Sequence, residues 1–213
     1  MIDKMNLDRD KVHTLDQFLR VIELDNENRY ELVDGQIHML ASPSVRHQRL
    51  IKFVSDALTD YFKKGNCEVF ISPLDVYLID EYAIHKMIDQ KHVIQIIKDK
   101  KGCKNVYQPD VFVVCDKDKI KSHGIEGAPD LVVEVISKST AQKDSILKYA
   151  NYMKYGVKEY WTVDYHRDQI LVYLNTSEDR DEIEIKSHKL DSTIKSRVFD
   201  GLEVDFTLFE DWQ

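Results

Sequence analysis

Two short runs of β-branched residues each carry a carboxylate where a strand would enter the interior. The first is Gln108-Pro109-Asp110 leading into Val111-Phe112-Val113-Val114, and the second is Asp130-Leu131-Val132-Val133-Glu134-Val135-Ile136. Apolar runs of this kind read as buried strands. A carboxylate facing a buried layer is costly unless it is paired, hydrogen-bonded or holding a cation. Two on neighbouring strands repel each other unless something positive sits between them. A hard divalent cation with oxygen ligands, such as magnesium, meets both demands.

Strand geometry sharpens the point. Side chains alternate faces, so Asp130, Val132, Glu134 and Ile136 share one face while Leu131, Val133 and Val135 take the other. If the strand at 111–115 pairs antiparallel with that at 131–136, Asp110 and Glu134 come together. A helix is expected from about Thr140 to Gly156. Glu134 lies roughly 10 Å back along its strand from Ser137 at ~3.3 Å per residue. Lys148 lies about 12 Å into the helix at ~1.5 Å per residue. A helix folded back over the sheet would bring Lys148 level with Glu134, with Tyr152 one turn further on the same face.

The rest of the chain supplies the frame. Thr14-Leu15-Asp16-Gln17 is a capping box that opens a helix through about Leu24. Asp34-Gly35 is a two-residue hairpin turn between short strands that carry Glu31 and His38. Ser42-Pro43-Ser44 caps a long helix from about Val45 to Lys63, which Gly65-Asn66 ends. A strand from Cys67 to Ile79 is broken near Pro73. Residues 80–105 interrupt the pattern as a polar inserted excursion with lysines at 98, 100, 101 and 104. A polar turn spans 116–127. Ser139 to Gln142 forms a second capping box, and Gly156 closes its helix. Strands follow at 160–163, 170–174 and 183–185, with a short strand or turn at 204–206. The expectation is a single mixed α/β domain over 1–213, built around one central sheet.

Composition excludes some functions. A chain of 213 residues with 43% hydrophobic content can bury one sizeable core. The net charge of −8 argues against a protein whose only task is to coat nucleic acid, but not against an enzyme with a small positive cleft. Cys67, Cys103 and Cys115 have no zinc-site spacing and read as free thiols in a reducing cytoplasm. No apolar stretch reaches the ~18 residues of a membrane span, and no signal-peptide core is evident. The expected location is cytoplasmic.

An ordered set of motifs resembles a known family. It comprises Tyr30-Glu31-Leu32-Val33-Asp34-Gly35, Arg46-His47-Gln48, Gln108-Pro109-Asp110-Val111, Gly124 to Ser137 with Asp130 and Glu134, Ser139-Thr140, and Gly156-Val157-Lys158-Glu159-Tyr160-Trp161. Over roughly residues 15–190 these resemble the Uma-type restriction endonucleases, formerly a domain of unknown function, within the PD-(D/E)xK nuclease superfamily. The resemblance implies a restriction-endonuclease-like core with a central mixed sheet flanked by helices. It also implies magnesium-dependent hydrolysis of DNA phosphodiester bonds, with manganese able to substitute.

Carried over residue by residue, Asp110 and Glu134 would hold the metal with the carbonyl of Val135. Glu31 would join through water, and Lys148 would orient the attacking water or offset negative charge. The chain departs from the superfamily at Ile136, where the usual lysine would stand, so Lys148 is the candidate for a lysine relocated to the following helix. His47 and Gln48 are candidates for phosphate contact. Tyr152, with Tyr149 and Tyr155, is a candidate for contact with DNA, against the plainer reading of a packed aromatic face. Asp130, at a strand entrance after Pro129, reads as a turn or capping residue. Two rival functions stand beside the nuclease: a catalytically silent nucleic-acid binder of the same fold, and a protein-interaction module, with homodimerisation as its form.

Overall fold

The computed structural model describes residues 11–79, 103–136, 143–177 and 182–210. The second capping box and residues 80–102 of the excursion, with Lys98, Lys100 and Lys101, lie outside the described residues.

Helix α1 (Leu15–Leu24) opens as its capping box dictates. The Thr14 hydroxyl accepts from the Gln17 amide at 3.3 Å, and the Gln17 side chain accepts from the Thr14 amide at 2.9 Å. Strands β1 (Tyr30–Val33) and β2 (Gln36–Met39) form the hairpin around Asp34-Gly35, both at positive φ. Their pairing sets Glu31 opposite His38. Helix α2 (Val45–Phe62) is capped by Ser44, whose hydroxyl accepts from the His47 amide at 3.2 Å. Then come β3 (Glu68–Ile71), β4 (Val76–Tyr77), β5 (Val106–Tyr107), β6 (Val111–Val114), β7 (Ile120–Lys121), β8 (Gly124–Glu126) and β9 (Leu131–Val135). Helix α3 (Lys143–Tyr155) ends in a Schellman motif, the Val157 amide donating to Tyr152 and the Gly156 amide to Met153. The chain finishes with β10 (Glu159–Asp164), β11 (Gln169–Asn175), β12 (Ile183–His188), β13 (Thr193–Lys195) and β14 (Glu203–Asp205).

The class is mixed α/β, but the expected single sheet is two. One six-stranded sheet runs β2-β1-β5-β4-β8-β7 and a second runs β12-β11-β10-β9-β6-β3, with β13 and β14 as a separate pair. The first sheet escaped the sequence reading for a physical reason. Four of its strands are only two or three residues long, too short to show a period. The polar turn at 116–127 is in fact the β7–β8 hairpin, joined to β4 in parallel.

Alternation within β9 divides the core. Leu131, Val133 and Val135 face α2, packing with Leu50, Val54 and Leu58. Val132 faces the other way, with Tyr107 of the first sheet and Tyr152 of α3. The α1 residues Leu15, Phe18 and Val21 cover the far face of the first sheet. Among the described residues no helix is long and apolar enough to cross a membrane.

The cysteine reading is corrected. Cys67 and Cys115 are joined in a disulfide, and Cys103 is a buried thiol that donates to the carbonyl of Asn105. The register pairs Glu68 with Val114, which places Cys67 and Cys115 opposite each other one step beyond. Their separation of 48 residues in sequence hid that meeting.

The β4–β8 approach is close enough to demand glycine. Gly124 has φ +147°, and a Cβ there would sit 2.4 Å from the carbonyl oxygen of Asp75. Gly124→Ala should therefore destabilise the fold by about 2–4 kcal/mol. Urea unfolding should show a lower midpoint with an unchanged slope, whereas an unchanged midpoint would mean that β4 and β8 do not approach this closely.

Candidate active site

The segment Gln108-Pro109-Asp110 is the corner where the chain leaves the first sheet after β5 and enters the second at β6. Proline suits such a corner because it needs no partner for a backbone N–H. β6 and β9 pair antiparallel with Val111 opposite Val133, so Asp110 arrives beside Glu134 one step further on. Asp110 Oδ2 accepts from the Val135 amide at 2.8 Å and lies 3.3 Å from His47 Nε2 in the first turn of α2.

Glu134 points away from α2, toward the first sheet and α3, and is 7% exposed. Its Oε1 accepts from Lys148 Nζ at 3.2 Å and from the Tyr152 hydroxyl at 2.9 Å. Both donors come from successive turns of α3. The Lys148 ammonium also donates to Glu31 Oε1 at 2.8 Å, and that same oxygen accepts from the Gln108 amide at 2.9 Å. Glu31, on β1, is 2% exposed. One ammonium thus bridges a carboxylate from each sheet.

These charges shape one another. Burial pushes the Glu134 carboxyl up to about 7; Lys148 opposes the shift, while Asp110 and Glu31 add to it. Burial alone would pull the Lys148 pKa down, but Glu134 and Glu31 outweigh it and the net shift is upward. For His47 burial again pulls downward, and the hydrogen bond and charge of Asp110 reverse it, so the imidazole is raised above its ordinary value. Burial, reinforced by Glu134 and Glu31, raises the Tyr152 phenol well above its usual range and keeps it a neutral donor.

A cavity of about 190 Å³ opens over this group, lined by Glu31, Asp110, Glu134, Lys148, His47 and Gln48. Ile136 lines it as well and brings no charge to the position where the superfamily pattern has a lysine. Tyr152 is a correction: it is fully buried behind Glu134, where it cannot contact phosphate or DNA. Its neighbours are packed too, with Tyr149 against Tyr173 at 4.5 Å between centroids and the Tyr155 hydroxyl accepting from Asn105. Asp130 stands at the entrance of β9, accepting from the Cys115 amide and pairing with Lys158.

Sequence reasoning missed Asp75. Its Oδ1 accepts from the side-chain amide of Gln108 at 2.9 Å. In the sequence Gln108 stands out only as part of a motif, and Asp75 sits in a loop that carries no pattern.

Asp110 and Glu134 each spend one oxygen on internal hydrogen bonds. Among the described residues, Asp110 Oδ1 and Glu134 Oε2 carry none. Nor do three or more His, Cys, Asp or Glu side chains gather there into a metal-binding group. Two carboxylates with the remaining positions left to carbonyl oxygen and water suit magnesium, which retains much of its hydration, better than zinc. The donor set therefore fits magnesium.

The family model described as "Putative restriction endonuclease", Uma2, matches residues 15–207. The chain belongs to the Uma2 family. An uncharacterized protein of Synechocystis sp., slr1290, is 27% identical over 137 residues, covering 64% of this chain and 60% of that protein. The match thus spans less than two thirds of that relative's length. A crystal structure described as "a putative nuclease belonging to DUF820", from Anabaena variabilis, aligns with a TM-score of 0.65 at 17% identity, covering 91% of this chain and 95% of that one. That likeness establishes the shared fold.

The Uma2 chain holds Glu134 at a cost that depends on pH. Its folded pKa of about 7 lies above the ordinary 4.5. The fold therefore favours the protonated acid. The penalty is absent below the unfolded value, grows as pH rises between the two, and is complete above the folded value. Glu134→Gln should remove it while Lys148 keeps Glu31. The metal-free variant should melt higher than the parent at pH 8, by an amount on the order of 1–3 kcal/mol, and the difference should vanish near pH 4. Equal melting at both pH values would mean that Glu134 is not held against its charge.

Proposed function

We propose that this Uma2 chain is a magnesium-dependent endonuclease that hydrolyses phosphodiester bonds in DNA. The observation that supports it most is the antiparallel register of β6 on β9, which sets Asp110 beside Glu134 with Lys148 hydrogen-bonded to Glu134. Membership of a family described as restriction endonucleases points to the same class of reaction.

Asp110 Oδ1 and Glu134 Oε2 are the oxygens left to hold the cation. When bound, magnesium supplies a Lewis acid that polarises the phosphate and acidifies a water. The chain's own groups do the rest. Tyr152 and the Val135 amide each fix one oxygen of a carboxylate and so orient the other. The Lys148 ammonium is a positive charge held in place by Glu31 and Glu134. Facing the cavity, it can orient a water or offset negative charge that builds on the phosphate. His47 steadies Asp110, and Gln48 lies at the cavity wall within reach of an incoming backbone. Because the net charge is −8, approach of DNA depends on local cations such as Arg29, which lines the same cavity.

The test is cleavage of a broad panel of DNA substrates with magnesium or manganese, alongside calorimetric metal binding. Asp110→Ala and Glu134→Ala should each abolish metal binding with far-UV dichroism retained. Undiminished binding in both would remove the assignment.

Lys148→Ala should bind metal as well as the parent or slightly better, because a cation competing for the carboxylates is gone. It should cut at least ~100-fold more slowly. Lys148→Arg should not restore the rate, since a planar guanidinium does not replace a compact ammonium. If the parent cuts nothing across the panel yet binds DNA without metal, the silent-binder reading replaces the nuclease.

A further inference from the structure

We propose that Gln108, held in one orientation by Asp75, supplies a neutral oxygen acceptor to the water shell of the cation at Asp110 and Glu134. The inference rests on the metal-dependent reading above and assigns a role to two residues that it does not use.

Gln108 is tied down twice. Its backbone amide donates to Glu31 Oε1, and its side-chain Nε2 donates to Asp75 Oδ1, both at 2.9 Å. A carboxylate accepts hydrogen bonds and does not donate them, so the amide presents nitrogen to Asp75 and turns its carbonyl away. Asp75 is itself anchored: its backbone carbonyl accepts from the Ile125 amide at 2.8 Å in the tight approach that requires Gly124. The amide of Gln108 is therefore preset by a rigid part of the first sheet.

The carbonyl oxygen so oriented is buried and has no hydrogen-bond partner among the described residues, while Gln108 lines the cavity beside Asp110 and Glu134. Leaving a buried acceptor unpaired is costly, because it forfeits its hydrogen bonds to water. The Lys148 ammonium does not relieve it, being engaged with Glu31 and Glu134. A hydrated divalent cation would. Magnesium retains several waters, and each points its hydrogens outward toward acceptors.

The choice of amide over carboxylate also has a reason. Glu31, Asp110 and Glu134 already crowd three acidic groups around one ammonium, with Asp75 behind Gln108, and a further acid in place of Gln108 would add repulsion to the metal-free state. A carbonyl oxygen gives an acceptor without that charge.

The experiment titrates manganese alone into the full chain by calorimetry, comparing the parent with Gln108→Leu and Asp75→Asn, each checked for fold by dichroism and melting. Gln108→Leu should weaken manganese binding ~10–100-fold, as loss of an outer-shell partner does. Asp75→Asn keeps the shape but lets the Gln108 amide turn either way, and should weaken binding by a smaller factor. If Gln108→Leu does not fold, Asp75→Asn decides the matter. Parental affinity in the folded variants overturns the role of Gln108 and leaves the Asp110–Glu134 site standing. A parent that binds no manganese overturns the cation reading and this inference together.

Discussion

Three carboxylates, Glu31, Asp110 and Glu134, are largely withdrawn from water around one cavity, and the half-buried ammonium of Lys148 joins two of them. Everything else in the site serves that balance. Glu31 arrives on the first sheet, Glu134 on the second, and Lys148 on the helix that connects β9 to β10. The ion pairs Lys148–Glu31 and Lys148–Glu134 thus tie the sheets and α3 at one point. Removing Lys148 would leave both carboxylates uncompensated, a change that usually costs about 3–5 kcal/mol. Such ion pairs give little net stability against an apolar alternative of similar shape. Stability alone therefore does not account for the cluster, which is in keeping with the chemical role proposed for it.

The polar side chains behind the cluster fit that view. Tyr152 donates to Glu134, and Asn151, on the same helix, donates to Tyr107 and Asn105. Asn105 in turn accepts from the Asp34 amide in the β1–β2 turn. From Lys148 to Tyr155, the face of α3 that meets the sheets is therefore hydrogen-bonded to the segments that present Glu31 and Gln108. Buried networks of this kind rigidify a site when every member is satisfied. Gln108 Oε1 at the cavity, which has no partner among the described residues, is an exception that the proposed hydrated cation would satisfy.

Much of this was legible in the chain. The capping box at Thr14, the Asp34-Gly35 turn and the Ser44 cap are local, and local chemistry decides them. Alternation in Leu131–Val135 told which face Glu134 takes. Comparing rise per residue along strand and helix brought Lys148 level with it, since both paths cover similar lengths. What stayed hidden depends on contacts between distant segments. The first sheet is assembled from strands too short to show a period. The Cys67–Cys115 disulfide follows from the β3–β6 register. Helical spacing put Tyr152 on the face of Lys148, but only the packing of Tyr107 and Tyr160 around it turned a candidate DNA contact into a buried donor. Asp75 became visible only once β4 had been placed beside β8.

The central claim is that the two inward carboxylates form a cation site beside Lys148. The most direct measurement is a crystal structure of the chain grown with manganese, with an anomalous difference map at the manganese edge. The account predicts a single strong peak between Asp110 Oδ1 and Glu134 Oε2, with Lys148 still hydrogen-bonded to Glu31. A map with no peak there at saturating manganese, or with the metal bound elsewhere on the chain, would contradict it.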